Sequence, residues 1–158
     1  IKNIDYILNL QGDEPNIDKN DIINLNDLMI NNDSEVGTLA AIIKDDKMFN
    51  NKNVVKVITE SKLEKNNFPE AVNFIRENSP IHNKNIYHHI GIYSYKVKTL
   101  EKFVRLDQTD REKKDKLEQL RALDNKLKIN VALAKSSPIG VDTEQDYLAI
   151  KKIMEYKI

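Results

Sequence analysis

Apolar runs of strand length alternate with stripes of helical period along this chain, and that interleaving restricts it to an α/β architecture with some antiparallel pairing. Tyr6 to Leu10 is a nearly continuous apolar run closed by Gly12 and Pro15, which suits a buried strand. Asp18 to Asn31 carries Ile22, Ile23, Leu25, Leu28 and Met29 on one helical stripe, with Asp18 or Asn20 as its cap. Gly37 to Ile43 and Val54 to Thr59 read as strands, separated by a polar loop with one helical turn over Asp45 to Asn53. After the charged connection Ser61 to Asn67, Ala71 to Arg76 reads as a strand, and Tyr87 to Tyr95 alternates most clearly of all. Thr99 is expected to cap a short helix through Leu106. Thr109 or Asp110 opens a longer one through Asn125, with Leu117, Leu120, Leu123 and Leu127 on one stripe. Ile129 to Ala134 is a last strand. Thr143 and Asp146 have the spacing of a capping box for a final helix to about Tyr156. No repeat or boundary divides residues 1–158, which are expected to form a single domain.

Composition narrows the function. The 158 residues carry 25 basic and 25 acidic side chains, a balance that argues against a general nucleic-acid binder. There is no cysteine, hence no disulfide framework and no thiolate metal site. No apolar run approaches the roughly 20 residues of a membrane span, and the lack of cysteine is compatible with the cytoplasm. An opening on Ile1 with a strand almost at once reads as an internal start.

Two acids stand where such a fold keeps its chemistry. Asp13, in Gln11-Gly12-Asp13-Glu14-Pro15, directly follows an apolar strand; Asp142, in Gly140-Val141-Asp142-Thr143, directly precedes a helix. Corners of this kind lie where open α/β sheets bind ligands. Two carboxylates together there could hold a divalent cation against a phosphate. Each is equally suited to an Asx-turn or a helix cap, and only a fold can bring positions so distant together. Along Tyr87 to Tyr95, His89, Gly91, Tyr93 and Tyr95 share one face, and Gly91 leaves room between two hydrogen-bonding side chains for a polar ligand. Ile90 and Ile92 mark the opposite face as core. Arg76, at a strand end, could clamp a carboxylate or simply be solvated. Glu118 and Arg121, three apart, have the spacing of a surface ion pair.

Five blocks, in order, resemble the carboxy-terminal part of the 3-deoxy-manno-octulosonate cytidylyltransferase (CMP-Kdo synthetase) family. They are Asn9 to Pro15, Asn53 to Val57, His89 to Tyr95, Leu117 to Leu123 and Gly140 to Thr143. The resemblance implies a Rossmann-like mixed sheet lacking its amino-terminal strands, in a homodimeric enzyme of lipopolysaccharide biosynthesis. There a hydroxyl of the sugar acid Kdo attacks the α-phosphorus of CTP and pyrophosphate leaves. It also implies Mg²⁺ ligation by Asp13 and Asp142, and a Kdo site lined by Gln11, Arg76, His89, Tyr93, Glu118 and Gln119. The chain departs from the family in three places. Asn73-Phe74-Ile75-Arg76 stands where the family has Tyr-Phe-Ser-Arg, Ser61 to Pro69 is longer, and the family's Pro-Ala-Arg-type phosphate loop has no counterpart. Activity is therefore expected of a longer protein and not of these residues alone. The alternatives are a cytidylyltransferase for another sugar acid, such as an 8-amino Kdo analogue or a nonulosonate, and a non-catalytic, partner-binding remnant.

Overall fold

The computed structural model describes residues 4–12, 15–77, 85–135, 137, 140–141 and 144–155, apart from the side chains of 145 and 146. Asp13, Glu14, Asp142 and Thr143, and with them the capping box expected at Thr143, lie outside the described residues. In chain order the elements are β1 (Tyr6–Asn9), α1 (Lys19–Asn31), β2 (Val36–Ala41), α2 (Asp46–Asn50), β3 (Lys56–Thr59) and β4 (Ala71–Ile75). They continue with β5 (Ile86–Lys96), α3 (Val97–Phe103), α4 (Asp110–Asp115), α5 (Gln119–Asp124), β6 (Ile129–Leu133) and α6 (Glu144–Glu155).

The expected mixed sheet is present. Its strands run in the order β4-β3-β5-β2-β6, with β1 also joined to β5. The long strand β5 organises it, being antiparallel to β1, β2 and β3. β6 lies parallel to β2, and β4 antiparallel to β3. β2 covers one edge of β5, while the other edge is shared: β3 pairs with residues Ile86 to His88 and β1 with Tyr93 to Lys96. Between them the His89 amide donates to Val55 O at 2.9 Å, and the Gln11 side chain lies against Gly91.

Both faces of the sheet are buried. Leu25 and Met29 of α1 pack on Leu39, Ile90, Ile92 and Ala132. They come so close that a Cβ on Gly37 would lie 2.4 Å from the Met29 sulfur. Phe103, Leu117 and Leu120 from α3 to α5 pack on the other face, against Val57, Phe74, Tyr87, Tyr93 and Tyr95. The face of β5 read as ligand-facing is therefore also core. β1 is half-buried rather than fully buried, with exposed Asn9 and Leu10 at its end.

Helix ends follow their side chains. Asp18 caps α1 by accepting from the Asn20 amide at 2.9 Å. Thr109 and Glu112 form a reciprocal capping box at α4. The single long helix expected from Thr109 to Asn125 is instead two, because Lys116 turns left-handed (φ 52°). The apolar stripe starts only at Leu117, so the first turns have no core face of their own. The Arg76 side chain fixes the break, donating from Nε to Asp115 O (3.1 Å) and from Nη2 to Lys116 O (3.3 Å). Thr99 likewise is not a cap: α3 begins two residues earlier, at Val97, and Thr99 is buried within it.

Candidate functional site

The candidate site is built around β5. The partner of β2 jumps from Tyr93 to Ile90 between Thr38 and Leu39, so Gly91 and Ile92 bulge out of the ladder. The Thr38 hydroxyl plugs the irregularity, lying 2.8 Å from Ile92 O, 3.2 Å from Ile90 O and 3.0 Å from His89 Nε2. A hydroxyl has one proton to give. If it goes to Ile92 O, the shortest of the contacts to a carbonyl, His89 Nε2 must carry the proton of the neutral ring. The Gln11 carboxamide covers the bulge from the β1 side, its Oε1 only 3.0 Å from where a Cβ on Gly91 would sit. A Cβ there would need the Gln11 carboxamide to give way by a few tenths of an ångström.

His89 and Tyr93 share the predicted face and touch, with ring centroids 5.4 Å apart. Both are buried, and His89 also meets the edge of Phe74 at 5.0 Å. Burial, with His88 as a lesser cause, pushes the His89 pKa down from 6.5 to about 3, so the ring is neutral in the folded protein. The row continues through Tyr95, stacked on Tyr93 at 5.8 Å, to Phe103 at 5.9 Å. Burial raises the Tyr95 hydroxyl pKa; Glu118 adds to the rise and Arg121 opposes it. Arg76 is held to the carbonyls of Asp115 and Lys116, just before Glu118 and half-buried Gln119. The structure thus brings together Gln11 with Gly91, His89 with Tyr93, and Arg76 with the segment that leads into Glu118.

Two described residues that precede Asp13 and Asp142 in the sequence, Gln11 and Ser137, each meet β5. Gln11, two residues before Asp13, lies against Gly91. Ser137, five residues before Asp142, has its Oγ 3.0 Å from His88 Nδ1. Gly91 and His88 are three residues apart on β5, an odd spacing that puts them on opposite faces of the strand. Buried Asp21 of α1 fixes the start of the second segment, both carboxylate oxygens accepting from the Lys135 amide at 3.0 and 3.1 Å. Desolvation is the main cause of its raised pKa. Among the described residues, no three His, Cys, Asp or Glu side chains gather into a group that could hold a metal ion.

Sequence reasoning passed over several buried polar residues. Lys56 is fully buried, its Nζ bonded to Asn51 O (2.7 Å) and Arg76 O (2.9 Å), and burial, then Arg76, lowers its pKa. Glu112 is buried and paired with Arg121, whose hydrogen bonds hold the Glu112 carboxyl below its ordinary range. Arg121 is therefore more than a surface partner of Glu118. A fully buried lysine inside a strand has no distinctive sequence signature, but Thr109 and Glu112 at capping-box spacing marked that acid as engaged.

A sequence profile of the cytidylyltransferase family matches residues 1–129. The chain belongs to the cytidylyltransferase family. Curated relatives named 3-deoxy-manno-octulosonate cytidylyltransferase include that of Bartonella bacilliformis, 42% identical over 148 residues, which cover 94% of this chain and 60% of the relative. That of Brucella canis is 39% identical over 143 residues, covering 90% of this chain and 57% of the relative. The chain thus spans about 60% of the length of these cytidylyltransferases. A solved CMP:2-keto-3-deoxy-manno-octonic acid synthetase, complexed with CTP, superposes with TM-score 0.85 at 27% identity, over 99% of this chain and 64% of that one. A UTP-bound UGPase from Acinetobacter baumannii shares the fold at TM-score 0.61 and 8% identity, over 96% of this chain and 47% of its own. Among the described residues no helix is long and apolar enough to cross a membrane.

Proposed function

We propose that the protein to which this chain belongs transfers the cytidylyl group of CTP to Kdo. A sugar-acid hydroxyl attacks the α-phosphorus, the bond from that phosphorus to the bridging oxygen breaks, and pyrophosphate leaves. The observation that carries this reading is the assembly on β5. Gln11 lies over Gly91, His89 against Tyr93, and Arg76 on the carbonyls before Glu118. All of these except Arg76 fall in the blocks that resemble the family. In this reading Gln11, Arg76, His89, Tyr93, Glu118 and Gln119 bind and orient Kdo. Neutral His89 offers a hydrogen bond without adding charge.

Asp13 and Asp142 would hold Mg²⁺, for which carboxylate oxygens are the appropriate hard donors. When bound, the ion would polarise the α-phosphate and offset the charge on departing pyrophosphate. A cytoplasmic homodimer serving lipopolysaccharide synthesis belongs to the same reading.

The test is pyrophosphate release by the full-length protein with CTP, Mg²⁺ and Kdo. No turnover with any sugar acid would leave a non-catalytic remnant. An 8-amino Kdo analogue or a nonulosonate is the competing acceptor, and preference for one would reassign the substrate. The 158 residues assayed alone should release no pyrophosphate, because positioning the triphosphate accounts for much of phosphoryl-type catalysis and the family's phosphate loop is not among them. Turnover by the isolated segment would overturn that expectation.

In the full-length protein, Tyr93→Phe or His89→Ala should raise the Kdo Michaelis constant roughly three- to tenfold, with a smaller change for CTP, as expected for one lost hydrogen bond. A melting curve measured alongside reads the loss of packing separately. Equal effects on both substrates, or a melting shift alone, would remove these residues from the sugar site.

A further inference from the structure

Arg121 is held on every side. Its Nε donates to Glu112 Oε2 at 2.8 Å and its Nη2 to Glu112 Oε1 at 2.6 Å, a two-pronged pair in which the side chains are only 12% and 5% exposed. Its Nη1 reaches Leu106 O at 3.3 Å, and the face of the guanidinium lies 5.0 Å from the Phe103 ring centre. Glu112 is equally committed, since Gln108 Nε2 and the Thr109 amide each donate to it at 3.3 Å. The guanidinium can therefore neither rotate nor slide. The Nη2 group has a second proton, and it points at Glu118 Oε1, 3.2 Å away.

Glu118 differs in kind. Its side chain is 68% exposed, it stands at the start of α5, and it makes no capping bond to that helix. Its carboxylate faces a cleft of about 520 Å³ that Gln108, Lys113 and Lys116 also line. For stability alone, a buried Arg–Glu pair gains little over apolar residues of similar volume. What the pair does provide is direction: a rigid bracket from α4 that ends on an otherwise free carboxylate, next to the aromatic row of β5.

We propose that Glu112 and Arg121 are positioning residues that fix the Glu118 carboxylate for the hydroxyls of the sugar acid. This rests on the reading that Glu118 contacts that substrate. Lost orientation appears as weaker sugar binding, while CTP, bound elsewhere, is little affected.

The experiment compares Glu118→Gln, Arg121→Lys, Glu112→Gln and the double variant Glu118→Gln/Arg121→Lys in the full-length protein. It measures both Michaelis constants and a melting curve for each. Each single variant should raise the Kdo constant roughly three- to tenfold with little change for CTP, and the double variant should be no worse than the worse single, as expected when one residue acts through another. If Arg121→Lys fails to fold, Glu112→Gln, which keeps the shape of the bracket and removes its charge, reads the same effect. If Arg121→Lys and Glu112→Gln shift melting but leave the Kdo constant unchanged, or if the effects of the two single changes multiply in the double, the pair is only a structural clip and the proposal fails. If Glu118→Gln alone is silent, the placing of Glu118 in the sugar site falls first, and the proposal with it.

Discussion

Asn in place of Asp13 or of Asp142 should lower turnover of the full-length protein roughly a hundredfold or more, since a metal ion at a reacting phosphoryl group is worth several kcal/mol at 1.36 kcal/mol per decade. Asn keeps the shape and one acceptor oxygen of Asp but loses the charge that makes a hard ligand. Corner conformation, and hence melting temperature, should change little. The measurement is pyrophosphate release as a function of Mg²⁺ concentration for each variant. A near-normal rate with unchanged Mg²⁺ dependence would return that Asp to capping or turn duty, where its loss costs only about 0.5–2 kcal/mol of stability.

The strands were legible because burial writes period two into a sequence. β5 was read from alternation alone to within a residue at each end, and β2, β3, β4 and β6 to within two. What alternation could not tell is that both faces are core: His89 and Tyr93 are buried as deeply as many apolar residues, because α3 to α5 close over them. The bulge at Gly91 was half legible. A glycine between His89 and Tyr93 announced a close approach, but the occupant, Gln11, comes from the segment after β1, far away in the sequence. The errors cluster where a long-range contact decides local structure. The break at Lys116 depends on Arg76, some 40 residues earlier in the chain, and the partner of Arg121 is Glu112 across that same break. A helical stripe carries no record of either contact.

Acidification should destabilise the protein before its carboxylates begin to titrate, and His89 should be a main cause. Its pKa in the fold, about 3, lies below the ordinary 6.5, because a buried imidazole with Thr38 on Nε2 and Phe74 and Tyr93 on its flanks has no solvent to receive the charge. The unfolded chain therefore binds a proton that the folded chain refuses. Stability from this group is fully present above pH 6.5 and is lost as pH falls towards about 3. The slope is as much as ~1.4 kcal/mol per pH unit, on the order of 5 kcal/mol in all. Half-buried His88, lowered by desolvation and by Lys56, adds a slope of the same sign. Acids with lowered pKa, such as Glu112, lose their contribution only below about pH 4.5, while Asp21, raised by desolvation, adds a slope of the opposite sign, so the histidine share over about pH 6.5 to 5 is read as the difference between parent and variant. Denaturant unfolding across that interval should give a steep loss in the parent and a flatter one in His89→Gln, whose amide can still meet Thr38 but cannot titrate. His88→Gln measures the neighbouring share. An unchanged slope in His89→Gln would mean that the ring titrates near its ordinary value in the folded protein, and that water reaches the face of β5 on which the sugar site is proposed.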